Sequence, residues 1–206
     1  MTVTPPADDR LRRNDLASAQ AREVAIGQVT FALMIGLCVA LHPGFVLKAD
    51  EGGMSNYGVH VKTVVPYSVA LLVPVLLTFD VSRRAVVGSG ASRRMVSLLR
   101  LYSAVLLLTL VTTFPYTLNV GLKDLHVAVG VAITVYESLA SLWIYLTTRA
   151  LGPVLAVQYG GLVLAALTFF GVLHVLFLSQ LVTGVAFAVL LVSGTRRILG
   201  ERSPSS

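Results

Sequence analysis

Glu137 stands halfway along an apolar run that extends from 126 to 147. Burial disfavours the charged form of a lone carboxylate, so the group there is expected to be neutral or paired. Its neighbours form a pattern. His126, Gly130, Thr134, Glu137, Ser141 and Tyr145 recur every three or four residues, which at 3.6 residues per turn puts them on one stripe of a helix. The opposite face carries Val127, Val131, Leu139, Leu142 and Leu146. Two readings of the stripe stay open. One is a polar cavity or proton path centred on Glu137. The other is an interhelical hydrogen bond from Glu137 to Gln28, Thr109 or Gln158, the polar glue common between membrane helices.

A second set of candidates is spread along the chain. The four histidines, His42, His60, His126 and His174, all fall near one end of the apolar runs, with Asp50, Glu51 and Asp124 on the same side. Imidazoles and carboxylates are the ligands of zinc and other divalent ions. A metal-bound water could attack a lipid ester or amide. No HExxH or HxxxH is present, so as metal ligands His42, His60, His126 and His174 are weak candidates, and interfacial histidine is the simpler reading. At the other end, Ser82-Arg83-Arg84 is echoed by Ser92-Arg93-Arg94. Arg83, Arg84, Arg93 and Arg94 are stop-transfer charges, or a clamp for anionic lipid headgroups. Asp80 has an arginine within reach as a partner. No Walker loop, GxGxxG, nucleophile elbow or CxxC occurs, Gly88-Ser89-Gly90 being only superficially like a nucleotide loop, so no cofactor is expected. The single cysteine, Cys38, cannot pair within the chain.

These residues must be positioned by apolar helices. Hydrophobic residues make up 55% of the 206 and charged ones 13%, far from the balance of a soluble domain. Six runs, 24–46, 64–81, 96–116, 126–147, 153–175 and 178–195, approach or exceed the roughly 20 residues that cross hydrocarbon. The fold expected is all-α, a polytopic membrane bundle of six transmembrane helices with the N- and C-termini cytoplasmic. Every arginine lies in the tails or in the joints after spans two and four, or in the helix ends beside them. The lysines, Lys48, Lys62 and Lys123, lie in the two alternate joints. This is the positive-inside pattern. It turns a net charge of +6 toward the membrane surface rather than toward nucleic acid, and points to a bacterial inner (plasma) membrane. Residues 1–23 read as a flexible tail, 24–195 as the membrane domain and 196–206 as a second tail.

Gln28, Ala32, Gly36 and Ala40 repeat every four residues on span one, the small-residue stripe that lets another helix approach. On span five, Ala156, Gly160, Gly161 and Ala165 read as packing surface. The first outer joint carries Tyr57, Val59 and Val61 among glycines, side chains that gain by burial. The segment from Asp50 to Thr63 is therefore expected to be ordered over the bundle mouth. Tyr57 and His60 would lie near His126, with Asp124 on the same rim. Its sequence, Asp50-Glu51-Gly52-Gly53-Met54-Ser55-Asn56-Tyr57-Gly58 leading into span two, resembles the DRAM/Sfk-like group and related bacterial membrane proteins. That resemblance implies six helices with both termini inside and supplies no catalytic residues.

The functional expectation is a non-enzymatic membrane protein. It would bind a lipid or amphiphile, or partner another membrane or envelope protein, through a polar cavity beside span four and the first outer loop. The rival readings are a metal-dependent lipid hydrolase at the outer leaflet and a small proton-coupled transporter using Glu137.

Overall fold

The computed structural model describes residues 7–47, 53–115 and 117–200. They form eight helices and no strand: α1 (Ala7–Leu41), α2 (Gly44–Leu47), α3 (Asn56–Val59), α4 (Val64–Arg84), α5 (Gly90–Thr113), α6 (Val120–Thr148), α7 (Gly152–Phe169) and α8 (Leu176–Gly200). Six of these, all but α2 and α3, are long and apolar enough to cross a membrane. The chain is thus an all-α bundle of the multi-pass membrane class. Helices α1, α4, α5, α6 and α8 close a ring by successive contacts, and α7 packs on α8 and α6. One face of the bundle gathers the start of α1, the end of α8 and the α4–α5 and α6–α7 joints (the terminal face). The opposite face carries α2, α3 and the α5–α6 and α7–α8 joints (the loop face).

Local sequence accounts for the boundaries. Ser89 caps α5 by accepting from the Ser92 backbone N–H at 3.1 Å, and Ser92 returns a bond to the Ser89 N–H at 2.8 Å, a reciprocal cap. Asn119 caps α6 through the Leu122 N–H. Pro153 occupies the first turn of α7, where its missing N–H costs nothing.

Several boundaries differ from the sequence reading; among them, the starts of α5 (Gly90) and α6 (Val120) and the end of α8 (Gly200) lie beyond the apolar spans. α1 begins at Ala7 rather than near Val24. Its 35 residues rise about 50 Å, well beyond the roughly 30 Å of hydrocarbon. The extension has its own packing, with Ala17, Gln20 and Ala21 buried and the end of α8 against Asn14 and Ala17. α5 ends at Thr113, before a turn at Phe114–Pro115. α7 ends at Phe169, and the chain turns through Gly171 at φ 73°, a left-handed conformation that glycine adopts without steric cost. The α7–α8 joint therefore covers 170–175.

The small-residue stripe of α1 also faces elsewhere. Ala32, Gly36 and Ala40 are exposed, and a Cβ on Gly36 would meet nothing within 4 Å. The close approach on this helix is made one residue before Gln28, where a Cβ on Gly27 would lie 3.0 Å from the Pro74 Cα.

Candidate functional site

On α6, Val127, Val131, Leu139, Leu142 and Leu146 are exposed. Its polar stripe turns inward. His126, Gly130, Thr134 and Glu137 line a cavity of about 150 Å³ toward the loop face. Gln28 of α1, Tyr67 of α4, Tyr102 and Thr109 of α5, Leu162 of α7 and Gln180 and Thr183 of α8 complete its wall. Ser141 lies deeper on the stripe and is fully buried, its hydroxyl without a partner.

Glu137 faces this cavity. Gln158 Nε2 donates to its backbone carbonyl at 3.3 Å, while among the described residues no hydrogen bond or ion pair engages its carboxyl group. Gln28 accepts from the Tyr102 hydroxyl at 3.3 Å through Oε1. Its Nε2, in a side chain only 8% exposed, has no partner. Of the three helix partners expected for Glu137, Gln28 and Thr109 line the same cavity and Gln158 reaches its main chain, but none makes the expected hydrogen bond to its carboxyl group.

The α2–α4 connection covers the cavity mouth. Met54 and Ser55 line it, and the Met54 N–H donates to Gln180 Oε1 at 2.8 Å. Tyr57 is fully buried beside Phe45 and Phe177, with ring centroids 5.4 and 6.0 Å away. Thr63 Oγ1 fastens the loop by donating to the Tyr57 carbonyl at 2.7 Å. The segment from Gly53 to Thr63 is therefore ordered and packed, as expected. Its details differ: Val61 is 83% exposed and Val59 37%, and Tyr57 anchors the loop without lining the cavity. Asp124 is exposed and off the wall. Asp50 and Glu51 lie outside the described residues.

His60 sits edge-on to His42, their ring centroids 4.3 Å apart, and Phe45 stacks on His42 at 4.1 Å. His126 is on the cavity wall, 3.3 Å from Thr112 Oγ1 through Nδ1, and His174 is in the α7–α8 joint. The described residues hold no group of three or more His, Cys, Asp or Glu side chains able to bind a metal. Desolvation, then the His42 ring and Lys62, hold His60 below the usual histidine range. A depressed folded value disfavours the protonated ring, so this corner loses stability as pH falls below the unfolded histidine value of about 6.5. We expect the protection of the amides at 60–63, measured against their intrinsic exchange rates, to fall between about pH 6.5 and pH 5, and His60→Gln to abolish that fall.

On the terminal face Arg83, Arg84, Arg93 and Arg94 are exposed. Arg84 pairs with Glu23 of α1 and with Asp80 at 2.7 Å, which supplies the partner expected for Asp80. The two Ser-Arg-Arg copies do different work: Ser82 Oγ donates to the Phe79 carbonyl, whereas Ser92 belongs to the α5 cap.

One feature had no signal in the sequence. A groove of about 1090 Å³ runs between α1 and α8, walled by Ala25, Val29, Ala32, Val185, Ala188, Val189 and Val192. Asn14, Ser18, Arg196 and Arg197 form its end on the terminal face. Gln28, Phe31 and Gly184 line both the groove and the cavity.

Comparison with protein-family models, with curated proteins and with solved structures gives no match.

Proposed function

We propose that this multi-pass membrane protein binds one amphiphile, its polar head in the Glu137 cavity and its apolar tail in the groove between α1 and α8. The observation that carries this reading is the wall shared by the two spaces. Gln28, Phe31 and Gly184 are common to both, so a polar chamber and an apolar slot meet at mid-helix. Along α8, Gly184 to Val192 rises about 12 Å, the reach of a medium alkyl tail. A polar chamber with an apolar exit matches the two halves of an amphiphile.

Gly184 supplies the test. A Cβ there would meet nothing within 4 Å, so Gly184→Leu projects into the junction while sparing the packing. Native mass spectrometry from a polyoxyethylene detergent is expected to show one amphiphile per wild-type chain and at least about tenfold less on the variant. Equal occupancy on both would refute the reading.

The arginine distribution supports termini in the cytoplasm of a bacterial inner membrane. Ser55→Cys should then react with an impermeant thiol reagent in intact cells, and Ser89→Cys should not. Cys38 is buried and gives no background. Labelling of Ser89→Cys alone would invert the topology.

A further inference from the structure

We infer that the head group held in the cavity is an alkylated ammonium, and that Glu137 alternates between holding a proton and facing that cation. This rests on the amphiphile reading and names its ligand class. Glu137 is the only acidic residue on the described wall, and no lysine or arginine lines it. An anionic head would face an acid with no countercharge. A neutral head leaves the carboxylate to be neutralised by a proton alone. A cation supplies a partner that lets the carboxylate ionise in a membrane interior.

The wall also carries Phe31, Tyr67 and Tyr102. Aromatic faces attract quaternary ammonium through the ring quadrupole, a preference that strengthens when water is excluded. About 150 Å³ admits a trimethylammonium-sized group. The uncommitted Gln28 Nε2 lies on the same wall and is a neutral donor that adds no competing charge.

Charge balances without a further reactant. With the head absent, Glu137 carries a proton; the entering cation displaces it, and the proton leaves to solvent. The titratable groups that share the cavity wall with Glu137 are Tyr102 from α5, Tyr67 from α4 and His126 on α6 itself; Tyr136 and Tyr159 point their hydroxyls to the Leu98 and Ser138 carbonyls instead. From α1 and α8 come only neutral groups, Gln28, Gln180 and Thr183. Tyrosines stay neutral near neutrality, and His126 opposes a cation only when protonated, so both act in the same direction as Glu137. Affinity for a permanent cation therefore rises with pH, about tenfold per unit while Glu137 is mainly protonated in the unliganded state, with one proton released per cation bound.

The test uses three ligands with one tail: decyltrimethylammonium, decanol and decyl sulfate, titrated calorimetrically into the full chain in polyoxyethylene micelles from about pH 6 to 9. Decyltrimethylammonium is expected to bind at least about tenfold tighter than the others at about pH 8 and to release close to one proton at the acid end of the range. Glu137→Gln should lose that preference and the proton release while keeping the wild-type helical content and thermal midpoint, which show it folded. Equal binding of all three, unchanged in Glu137→Gln, would overturn the cation inference and leave the amphiphile site standing. A cation preference without pH dependence or proton release would overturn the exchange. Binding of none of the three would overturn the amphiphile reading and this inference with it.

Discussion

Gly58→Val is expected to unseat the loop between α2 and α4 and to lower the thermal midpoint by roughly 10 °C. A Cβ at Gly58 would lie 2.4 Å from Thr113 Cγ2 and 2.6 Å from Tyr67 Cε1, far inside contact distance. Neither neighbour can yield. Tyr67 is 3% exposed and Thr113 fully buried, and their hydroxyls meet at 3.3 Å. The loop must move instead. It is fastened by the Tyr57 ring between Phe45 and Phe177 and by the Thr63 and Met54 hydrogen bonds, so moving it loses several contacts together. Overpacking alone costs about 1–3 kcal/mol. The released aromatic anchor adds a similar amount, and a chain of this size loses about 2–4 °C per kcal/mol. Amide exchange across 53–63 should accelerate by at least about tenfold. Gly53→Ala is the control, because its nearest neighbour is Leu176 Cδ2 at 3.3 Å, the end of a flexible side chain. An unchanged midpoint and unchanged exchange in Gly58→Val would show that the loop is not held this way.

The polar stripe of α6 was legible in the sequence because a charged or hydrogen-bonding residue cannot face lipid without a cost of roughly 3 kcal/mol. Periodicity therefore gave direction as well as spacing. The stripe of α1 had the same spacing and was misdirected for a physical reason. Alanine and glycine are accepted by lipid and by protein alike, so Ala32, Gly36 and Ala40 carried no information about which side they faced. The true approach at Gly27 depends on Pro74 of another helix, and no single-helix pattern contains it. Hydropathy likewise marked where α1 is apolar but not where it is helical. Ala17, Gln20 and Ala21 continue the helix because the end of α8 buries them.

At the other hairpin the error had the opposite sign. Phe170, Val172 and Leu173 read as membrane span because they are apolar, yet they form a turn that Gly171 makes possible. The histidines were correctly placed at one face. Which of them meet is a matter of helix rotation and loop path: His42 and His60 touch, His126 belongs to the cavity, and His174 sits in another joint. The groove between α1 and α8 was invisible for the same reason. Its walls are ordinary lipid-compatible side chains, and only the splay of two helices makes a slot of them.

Two adjacent glycines on α7 separate packing from mere composition, and they carry the last prediction. Gly161→Leu is expected to push α7 from α8, whereas Gly160→Leu is expected to be silent. A Cβ at Gly161 would lie 2.5 Å from Thr183 Oγ1 and 3.2 Å from the Thr183 backbone nitrogen; at Gly160 it would meet nothing within 4 Å. The Thr183 hydroxyl is committed to the Ser179 carbonyl at 2.8 Å, and main chain cannot rotate away. Inside a bilayer no water is released when helices meet, so association depends on close packing and a few polar contacts. Apart from its packing on α8, α7 is held by two polar contacts to α6, Gln158 to the Glu137 carbonyl and Tyr159 to the Ser138 carbonyl, each at 3.3 Å. Displacing α7 should break both and withdraw Leu162 from the cavity wall, opening Glu137 to the lipid side. The midpoint of Gly161→Leu should fall by roughly 10 °C, from about 3 kcal/mol of overpacking and lost contact. Labelling of Glu137 by a lipid-soluble carbodiimide, located by peptide mass spectrometry, should become several-fold faster. If both leucine variants behave like wild type, or like each other, the α7–α8 interface does not depend on Gly161, and the cavity wall must be sealed by something other than this contact.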